Sequence, residues 1–335
     1  MNLSTTRTVT RADVAKLAGV STAVVSYVVN GGPRPVAEAT AVRVRDAIDV
    51  LGYRPNATAR ALKLGTTGVL GLVVPDSSNP FYAELALEVE RAASARGLAL
   101  LMASSNADLE LEQRLIEDLL ARQVDGLLVS GTAGAVVPSR MATVRPSGPI
   151  VFLDCPIPLA GFTTLCSDAF HGGQLLTEHL LQEHHHESVA LVMGTSTEGW
   201  RDNRELGWSA ALQAAGAKPG AVVRVAFTRQ GGYEAGRELL ARADRPSAVF
   251  ASSDLQAVGL LRAAHELGLN VPGDLAVVAY DGTQEAAFCW PPLTCARQRI
   301  SAIADAGVVA VADRAEPEHR VFDVEFVVRH SCGCP

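Results

Sequence analysis

Between residues 69 and 280 short apolar runs alternate with longer helix-patterned stretches, and that alternation leaves few folds open to this chain. The runs lie at 69–74, 98–103, 125–130, 149–154, 162–167, 188–193, 221–226, 248–252 and 275–280. Helical periodicity lies between them, at 80–96, 109–122, 171–183, 202–215, 232–242 and 254–267. A strand that is apolar throughout, rather than at every second residue, is covered on both faces, and strands separated by helices pair in parallel. The expected class is therefore α/β. Nine strands over this length fit two doubly wound lobes better than one sheet.

With 335 residues, 48% of them hydrophobic, the chain has material for two or three folded units. No apolar run approaches the roughly 18 residues needed to span a bilayer, so no membrane partner is expected. The N-terminal residues lack an apolar signal-peptide core, which points to the cytoplasm. Six scattered cysteines (Cys155, Cys166, Cys289, Cys295, Cys332 and Cys334) look like reduced thiols rather than a disulfide framework. Charge is uneven: residues 1–65 carry nine Lys/Arg against four Asp/Glu, a net +5, in a chain whose total is −7. A basic head on an acidic body suits contact with phosphates at one end only.

The head reads as three short helices. Thr10 is a candidate N-cap with Asp13 as its capping-box partner, and Val14, Leu17 and Ala18 form an i, i+3, i+4 stripe. Gly19 breaks this helix and Ser21 caps a second, whose stripe is Val25, Val28 and Val29 and whose outer face carries Thr22, Ala23, Ser26 and Tyr27. Two short helices joined by a glycine turn, the second with a small polar face, make a helix-turn-helix pattern. A third helix is expected from about Ala37 to Leu51, ending at Gly52. Periodicity alone leaves open a helical bundle without a nucleic-acid partner.

The stretch 9–30, "VTRADVAKLAGVSTAVVSYVVN", then "LGYRPN" at 51–56, closely resembles the head of the lactose-repressor (LacI/GalR) family. The similarity continues through "GLVVPDSSNPFYAEL" (71–85), "DGLLVS" (125–130), "VFLD" (151–154), "GGQLLTEHL" (172–180), "VALVMG" (189–194), residues 246–282 and "PPLT" (291–294), covering almost the whole chain in order. The resemblance implies a helix-turn-helix DNA-binding head at 1–53, a hinge helix and linker at 54–66, and a periplasmic-binding-protein-like core at 67–335 for effector binding and dimerisation. The implied first lobe covers about 67–166 and 297–316, the second about 167–296 and 317–335, with crossings near Cys166–Asp168, Thr294–Gln298 and Glu316–Val321.

It further implies a transcription regulator, most often a repressor, that binds a double-stranded operator as a homodimer under the control of a sugar, nucleoside or related metabolite. The carried-over DNA contacts are Ser21, Thr22, Ala23, Ser26, Tyr27 and Asn30 in the head, with Asn56, Ala59 and Leu62 in the hinge. Leu62 matches the leucine that wedges between central base pairs. The family usually has Arg where this chain has Tyr27, so loss of the guanidinium fork predicts a different operator preference.

Open α/β sheets bind ligands beyond the carboxyl ends of their strands. The family motifs place Phe81, Tyr82, His171, Arg204, Phe227, Ser253 and Asp281 at such ends as effector contacts. Ser253 stands where the family often has Asn, and Ala169 where Asn commonly follows Asp168; both departures weigh against a common hexose. The alternatives are a solute-binding protein, which would carry an export signal and no head, and an enzyme on the same scaffold. The sequence offers neither a phosphate loop nor a nucleophile elbow, so no catalytic residue or cofactor is expected. The His184-His185-His186 run reads as a solvated helix end. Cys332-Gly333-Cys334 lacks a second cysteine pair to complete a zinc site, so no metal is expected.

Overall fold

The computed structural model describes residues 9–30, 32, 35–54, 65–130, 148–195 and 201–335. They divide into one unit up to Thr67 and a second from Gly68 onward.

The first unit holds α1 (Arg11–Ala18), α2 (Thr22–Asn30) and α3 (Glu38–Leu51). The Thr10 backbone N–H donates to Asp13 Oδ2 at 2.9 Å, closing the start of α1, and Gly19 ends it in the left-handed region at φ 68°. Ser21 Oγ accepts from Val24 N–H at 3.3 Å to start α2. Helices α1 and α2 meet at 104°, a helix-turn-helix angle. Val14, Ala15, Ala18, Val25, Val44, Ala47 and Tyr53 form the core. The expected inward Leu17 is instead 54% exposed; Ala15, one position beside Val14, takes its place in the stripe. Hinge residues 55–64, including Asn56, Ala59 and Leu62, lie outside the described residues.

The second unit carries two six-stranded sheets. The first, in the order β2-β1-β3-β4-β5-β11, comprises β1 (Val69–Val74), β2 (Ala99–Ser104), β3 (Gly126–Ser130), β4 (Ile150–Leu153), β5 (Thr163–Ser167) and β11 (His319–Phe322), all parallel. The second repeats the pattern as β7-β6-β8-β9-β10-β12, from β6 (Ala190–Gly194), β7 (Val222–Val225), β8 (Ala248–Ala251), β9 (Ala276–Asp281), β10 (Thr294–Arg297) and the antiparallel edge β12 (Glu325–Val327).

Around the sheets lie α4 (Pro80–Ala95), α5 (Leu109–Ala121), α6 (Ala169–Gln182), α7 (Asn203–Ala215), α8 (Arg229–Leu240), α9 (Asp254–Glu266), α10 (Gln284–Phe288) and α11 (Ile300–Ala312). Their starts are set by side-chain caps: Asn79 accepts from Phe81 N–H ahead of α4, Asp168 from His171 N–H ahead of α6, and Thr228 from Gly231 N–H ahead of α8. No single described helix is long and apolar enough to cross a membrane.

The chain crosses between lobes three times. It leaves β5 for α6, returns from β10 to α11, and crosses last from β11 to β12. Helix α11 is apolar on nearly every face and sends Ile303, Ala304, Val308 and Val311 into the first-lobe core with Leu70, Leu72 and Leu128. Sequence reading assigned no element there. It also expected the last crossing near Glu316–Val321 and placed everything from 317 in the second lobe. Strand β11 pairs with β5 from His319↔Thr164 to Phe322↔Ser167, so the crossing lies at Asp323–Val324. Only Phe322 of that strand is buried, so as an exposed edge it has no apolar run to announce it.

Candidate functional site

In each sheet the connections diverge around the first strand of the lobe, between β1 and β3 and between β6 and β8. Crevices of this kind, at the carboxyl ends of strands where winding reverses, receive ligands. The polar groups of the second unit gather there.

Arg204, in the first turn of α7, is the centre of the cluster. Its Nε and Nη2 donate to the two oxygens of Asp202 at 2.8 and 2.7 Å, and Nη1 donates to Ser252 O at 2.9 Å. Asp202 Oδ1 also accepts from Arg204 N–H at 2.8 Å, so one carboxylate caps the helix and clamps the side chain. The guanidinium carbon stands 5.0 Å from the Phe227 ring centroid and 5.3 Å from that of Tyr280. Burial opposes the arginine's charge, but the Asp202 carboxylate outweighs it and holds the group firmly cationic. Burial likewise opposes the Asp202 anion, and Arg204 more than offsets that, keeping the carboxyl below its usual range.

Close backbone approach makes this arrangement possible. A side chain at Gly173 of α6 would strike the backbone of Arg204, and one at Gly207 of α7 would strike Phe170, so glycines let α6 and α7 pack tightly. Gly194, at the end of β6, is covered by the Phe227 ring, which no β-carbon there would allow.

Asp281 ends β9 with φ 118°, a left-handed backbone that few L-residues adopt. Its Oδ1 accepts from Gln298 Nε2 at 2.9 Å and its carbonyl accepts from Gln298 N–H at 2.9 Å, tying the site to the second lobe crossing. Burial, and after it the neighbouring Asp254 carboxylate, push the Asp281 carboxyl well above the ordinary range. Asp254 Oδ2 accepts from both the N–H and the hydroxyl of Thr283 at 2.7 Å, while Oδ1 has no partner among the described residues.

From the first lobe come Phe81, Tyr82 and Asp154. Phe81 and Tyr82 meet edge to face at 5.1 Å, with Phe81 buried in the lobe core and Tyr82 partly accessible. Burial raises the Tyr82 phenol, and the charges of Asp154 and, across the cleft, Asp281 add to the rise, with Arg204 working against it. Asp154 follows β4 at φ 54° and remains accessible to water, yet the surrounding protein depletes its solvation and pushes its carboxyl up to about 6.

Sequence reasoning thus placed Tyr82, Arg204, Phe227 and Asp281 in one cluster, with Phe81 backing Tyr82. His171 lies exposed on the first turn of α6, and no described contact joins it to Arg204 or Asp281. Ser253 is buried, and its hydroxyl accepts from Gln256 N–H at 3.3 Å while contacting Gln256 Oε1 at 3.3 Å. That hydroxyl also caps α9. Asp154, Asp202, Tyr280 and Gln298 were missed. The Asp-x-Arg pattern opening α7 was a readable signal for Asp202; the others follow only from the pairing of lobes.

In the head, Ser21, Thr22, Ala23 and Asn30 are exposed along α2, and Ser26 and Tyr27 are partly covered. Asn30 Nδ2 donates to Ser26 O at 3.1 Å and contacts Ser26 Oγ at 3.2 Å, so these two side chains are coupled. The Tyr27 ring is covered on one side by Gly32, which a β-carbon there would displace.

A profile described as bacterial regulatory proteins, lacI family, matches residues 10–56, and one described as periplasmic binding proteins and sugar binding domain of LacI family matches residues 67–306. The chain belongs to the LacI family. It is a DNA-binding regulator whose larger domain takes an effector. The ribose operon repressor of Escherichia coli (strain K12) is 39% identical over 293 residues, covering 86% of this chain and 88% of that protein. Among solved structures, the complex of the transcriptional regulator CelR with cellobiose is 32% identical, with TM-score 0.70, over 96% of this chain and 99% of that one. The lac repressor dimer bound to operator and the anti-inducer ONPF is 25% identical, with TM-score 0.84, over 97% of this LacI-family chain and 99% of that one.

Proposed function

We propose that this LacI-family regulator is a homodimeric repressor, acting in the cytoplasm, whose operator affinity is set by an uncharged polyhydroxylated effector of the sugar class. The observation that carries the effector class is the charge pattern of the cleft. One guanidinium, already paired with Asp202, faces two further carboxyls, Asp154 and Asp281. Carboxyl oxygens accept hydrogen bonds that sugar hydroxyls donate, whereas the guanidinium, already neutralised by Asp202, has no spare positive charge to offer an anionic effector. Tyr82 and Phe227 supply flat apolar faces of the kind that cover one side of a sugar ring. The ribose and cellobiose named for relatives agree with this class.

Ser21, Thr22, Ala23, Ser26, Tyr27 and Asn30 are the proposed operator contacts of the head, and Asn56, Ala59 and Leu62 those of the hinge. One head reads only a half-site, so a dimer is required. Exposed apolar residues on the edge strand β2 (Leu101 and Met102), on α4 (Leu87) and beyond α10 (Trp290) offer the surface for it. Effector binding would shift the lobes between states with different hinge spacing, and a coupling of about 1–3 kcal/mol is the usual scale.

The test is calorimetric titration of the full chain with neutral pentoses, hexoses and disaccharides beside sugar acids and nucleosides, followed by operator binding with each hit. Saturable binding of a neutral sugar that changes operator affinity is expected. Tight binding of a sugar acid in preference to its neutral parent would overturn the assigned class.

A further inference from the structure

The carboxyl-terminal turn brings Cys332 and Cys334 onto the end of α6, where His179 and His184 wait. The two Nε2 and two Sγ atoms of this quartet all lie within 4.8 Å of one another. His179 Nε2 is 3.2 Å from His184 Nε2, 3.3 Å from Cys332 Sγ and 3.6 Å from Cys334 Sγ, and His184 Nε2 is 3.5 Å from Cys334 Sγ. A ring nitrogen has a single lone pair or a single N–H, so hydrogen bonding accounts for at most one of the three contacts at His179 Nε2. A shared cation accounts for all of them. Zinc bonds of about 2.3 Å to sulfur and about 2.0–2.1 Å to nitrogen, set tetrahedrally, separate ligand atoms by about 3.3 Å (N to N) and about 3.5 Å (N to S).

We propose that His179, His184, Cys332 and Cys334 form a structural zinc site that fastens the end of the chain to α6 in the second lobe. Two thiolates and two imidazoles are a donor set suited to zinc, and four protein ligands leave no open position for catalysis. The surroundings are built for it. Gly333 has φ 112°, and a β-carbon there would stand 3.1 Å from His184 Nδ1, so only glycine lets the chain reverse and aim both thiols at the histidines. The His179 ring packs edge-on against Phe326 at 5.0 Å, and the Thr294 hydroxyl lies 3.0 Å from Cys332 Sγ, where it can orient the ligand. Ser331 ties the turn to the sheet, its hydroxyl donating to Val277 O at 2.6 Å and accepting from Thr294 N–H at 2.9 Å.

The spacing explains why no metal was expected from sequence. The His-x4-His pair and the Cys-x-Cys pair lie some 150 residues apart, and neither is a zinc motif alone. The tail cysteines have no second cysteine pair, and this geometry faces them with two histidines instead: His184, from the run that read as a solvated helix end, and His179, from the last turn of α6.

The test uses the full-length chain without a histidine tag, purified with a thiol reductant and dialysed against metal-free buffer. Elemental analysis should find about one zinc per chain. Cys334→Ser and His184→Gln, both at partly exposed positions, should each lose at least nine-tenths of it while keeping the wild-type circular dichroism, and His185→Gln should keep it. Cobalt loading should give tetrahedral ligand-field bands with sulfur-to-cobalt charge transfer, the latter reduced in Cys334→Ser. A chelator should lower the melting temperature of the wild type by several degrees and leave that of His184→Gln unchanged. Wild-type protein that takes up neither zinc nor cobalt, or zinc retained in full by Cys334→Ser or His184→Gln, overturns the site.

Discussion

Asp202 accepts two hydrogen bonds from the Arg204 guanidinium, at 2.8 and 2.7 Å, while the same carboxylate caps the helix on which Arg204 stands. The arginine is therefore fixed before any ligand arrives, and its remaining Nη1 is anchored to the carbonyl of Ser252. Preorganisation of this kind spares the ordering cost on binding. Asp202→Asn keeps a capping oxygen but breaks the bidentate pair. Effector affinity in isothermal titration should fall about 10-fold or more, in line with the loss of a charge-assisted bond of roughly 1.5–3 kcal/mol. Arg204→Lys should fail to restore the affinity lost in Arg204→Ala, since an ammonium cannot reproduce the fork. Unchanged affinity in Asp202→Asn would remove Arg204 from the site.

The carboxyls of the cleft give the second unit a pH dependence of definite sign. Asp254 is pushed up to about 7, chiefly by burial, Asp281 is raised as well, and Asp154 is pushed up to about 6. A carboxyl whose folded value exceeds its unfolded value of about 4 takes up a proton on folding. Its contribution is fully present below about pH 4 and is lost as the pH rises through the folded value. The ligand-free melting temperature should therefore fall as the pH rises from about 5 to about 7. Asp254→Asn, which retains an acceptor for Thr283, should lessen that slope in a thermal-shift series across pH. An unaltered slope in this variant would place the titration elsewhere.

Gly194→Ala tests the seat of Phe227. The added methyl would run into the ring and force it off Arg204, removing a cation–π contact worth about 0.5–2 kcal/mol. Effector binding should weaken several-fold, with an accompanying loss of stability of about 1–3 kcal/mol from overpacking. Chemical denaturation and titration calorimetry separate the two effects.

Tyr27→Arg should move the operator preference toward guanine at one position of each half-site, by about 1–3 kcal/mol. Selection from randomised duplexes with the wild-type and variant proteins reads this directly. The same base preference in both would mean that the Tyr27 ring, resting on Gly32, does not reach the bases.

Leu101→Asp places a charge on the exposed edge strand β2, where Leu101 and Met102 are 44% and 47% accessible. If that edge meets its copy, sedimentation should show monomers at concentrations where the wild type is dimeric, and operator affinity should fall at least 10-fold while the melting of the head is unaffected. A variant that stays dimeric would move the interface to another face.

The two-lobed α/β architecture was legible because buried parallel strands are apolar along their whole length, as in Val69–Val74 and Ala276–Val278. The edges were not. Strand β11 exposes His319, Arg320 and Val321, and β10 is a short stretch, Thr294–Arg297, that sequence reading saw only as a crossing. Helix α8 begins at Arg229, ahead of the expected 232, because Gly231 and Gly232 pack where a β-carbon would meet backbone, rather than breaking the helix. Strand ends and family motifs single out Arg204 and Asp281, which lie in the same polar cluster. Ser253, expected as an effector contact, is also the cap of the next helix, a role that only the hydrogen-bond geometry reveals.

The first lobe's hydrophobic core includes Ile303, Ala304, Val308 and Val311 of α11 and Phe322 of β11, all following the bulk of the second lobe in sequence. During synthesis the ribosome must therefore deliver nearly the entire polypeptide before the earlier lobe can close, although the head, complete by residue 54, is free to fold at once. A premature stop codon after about residue 300 would leave an intact reader of DNA tethered to two unfinished halves. Such fragments would carry a head that can read a half-site but no finished lobe to pair it with a second, so simple truncation should cost the operator grip itself as well as the response to effector.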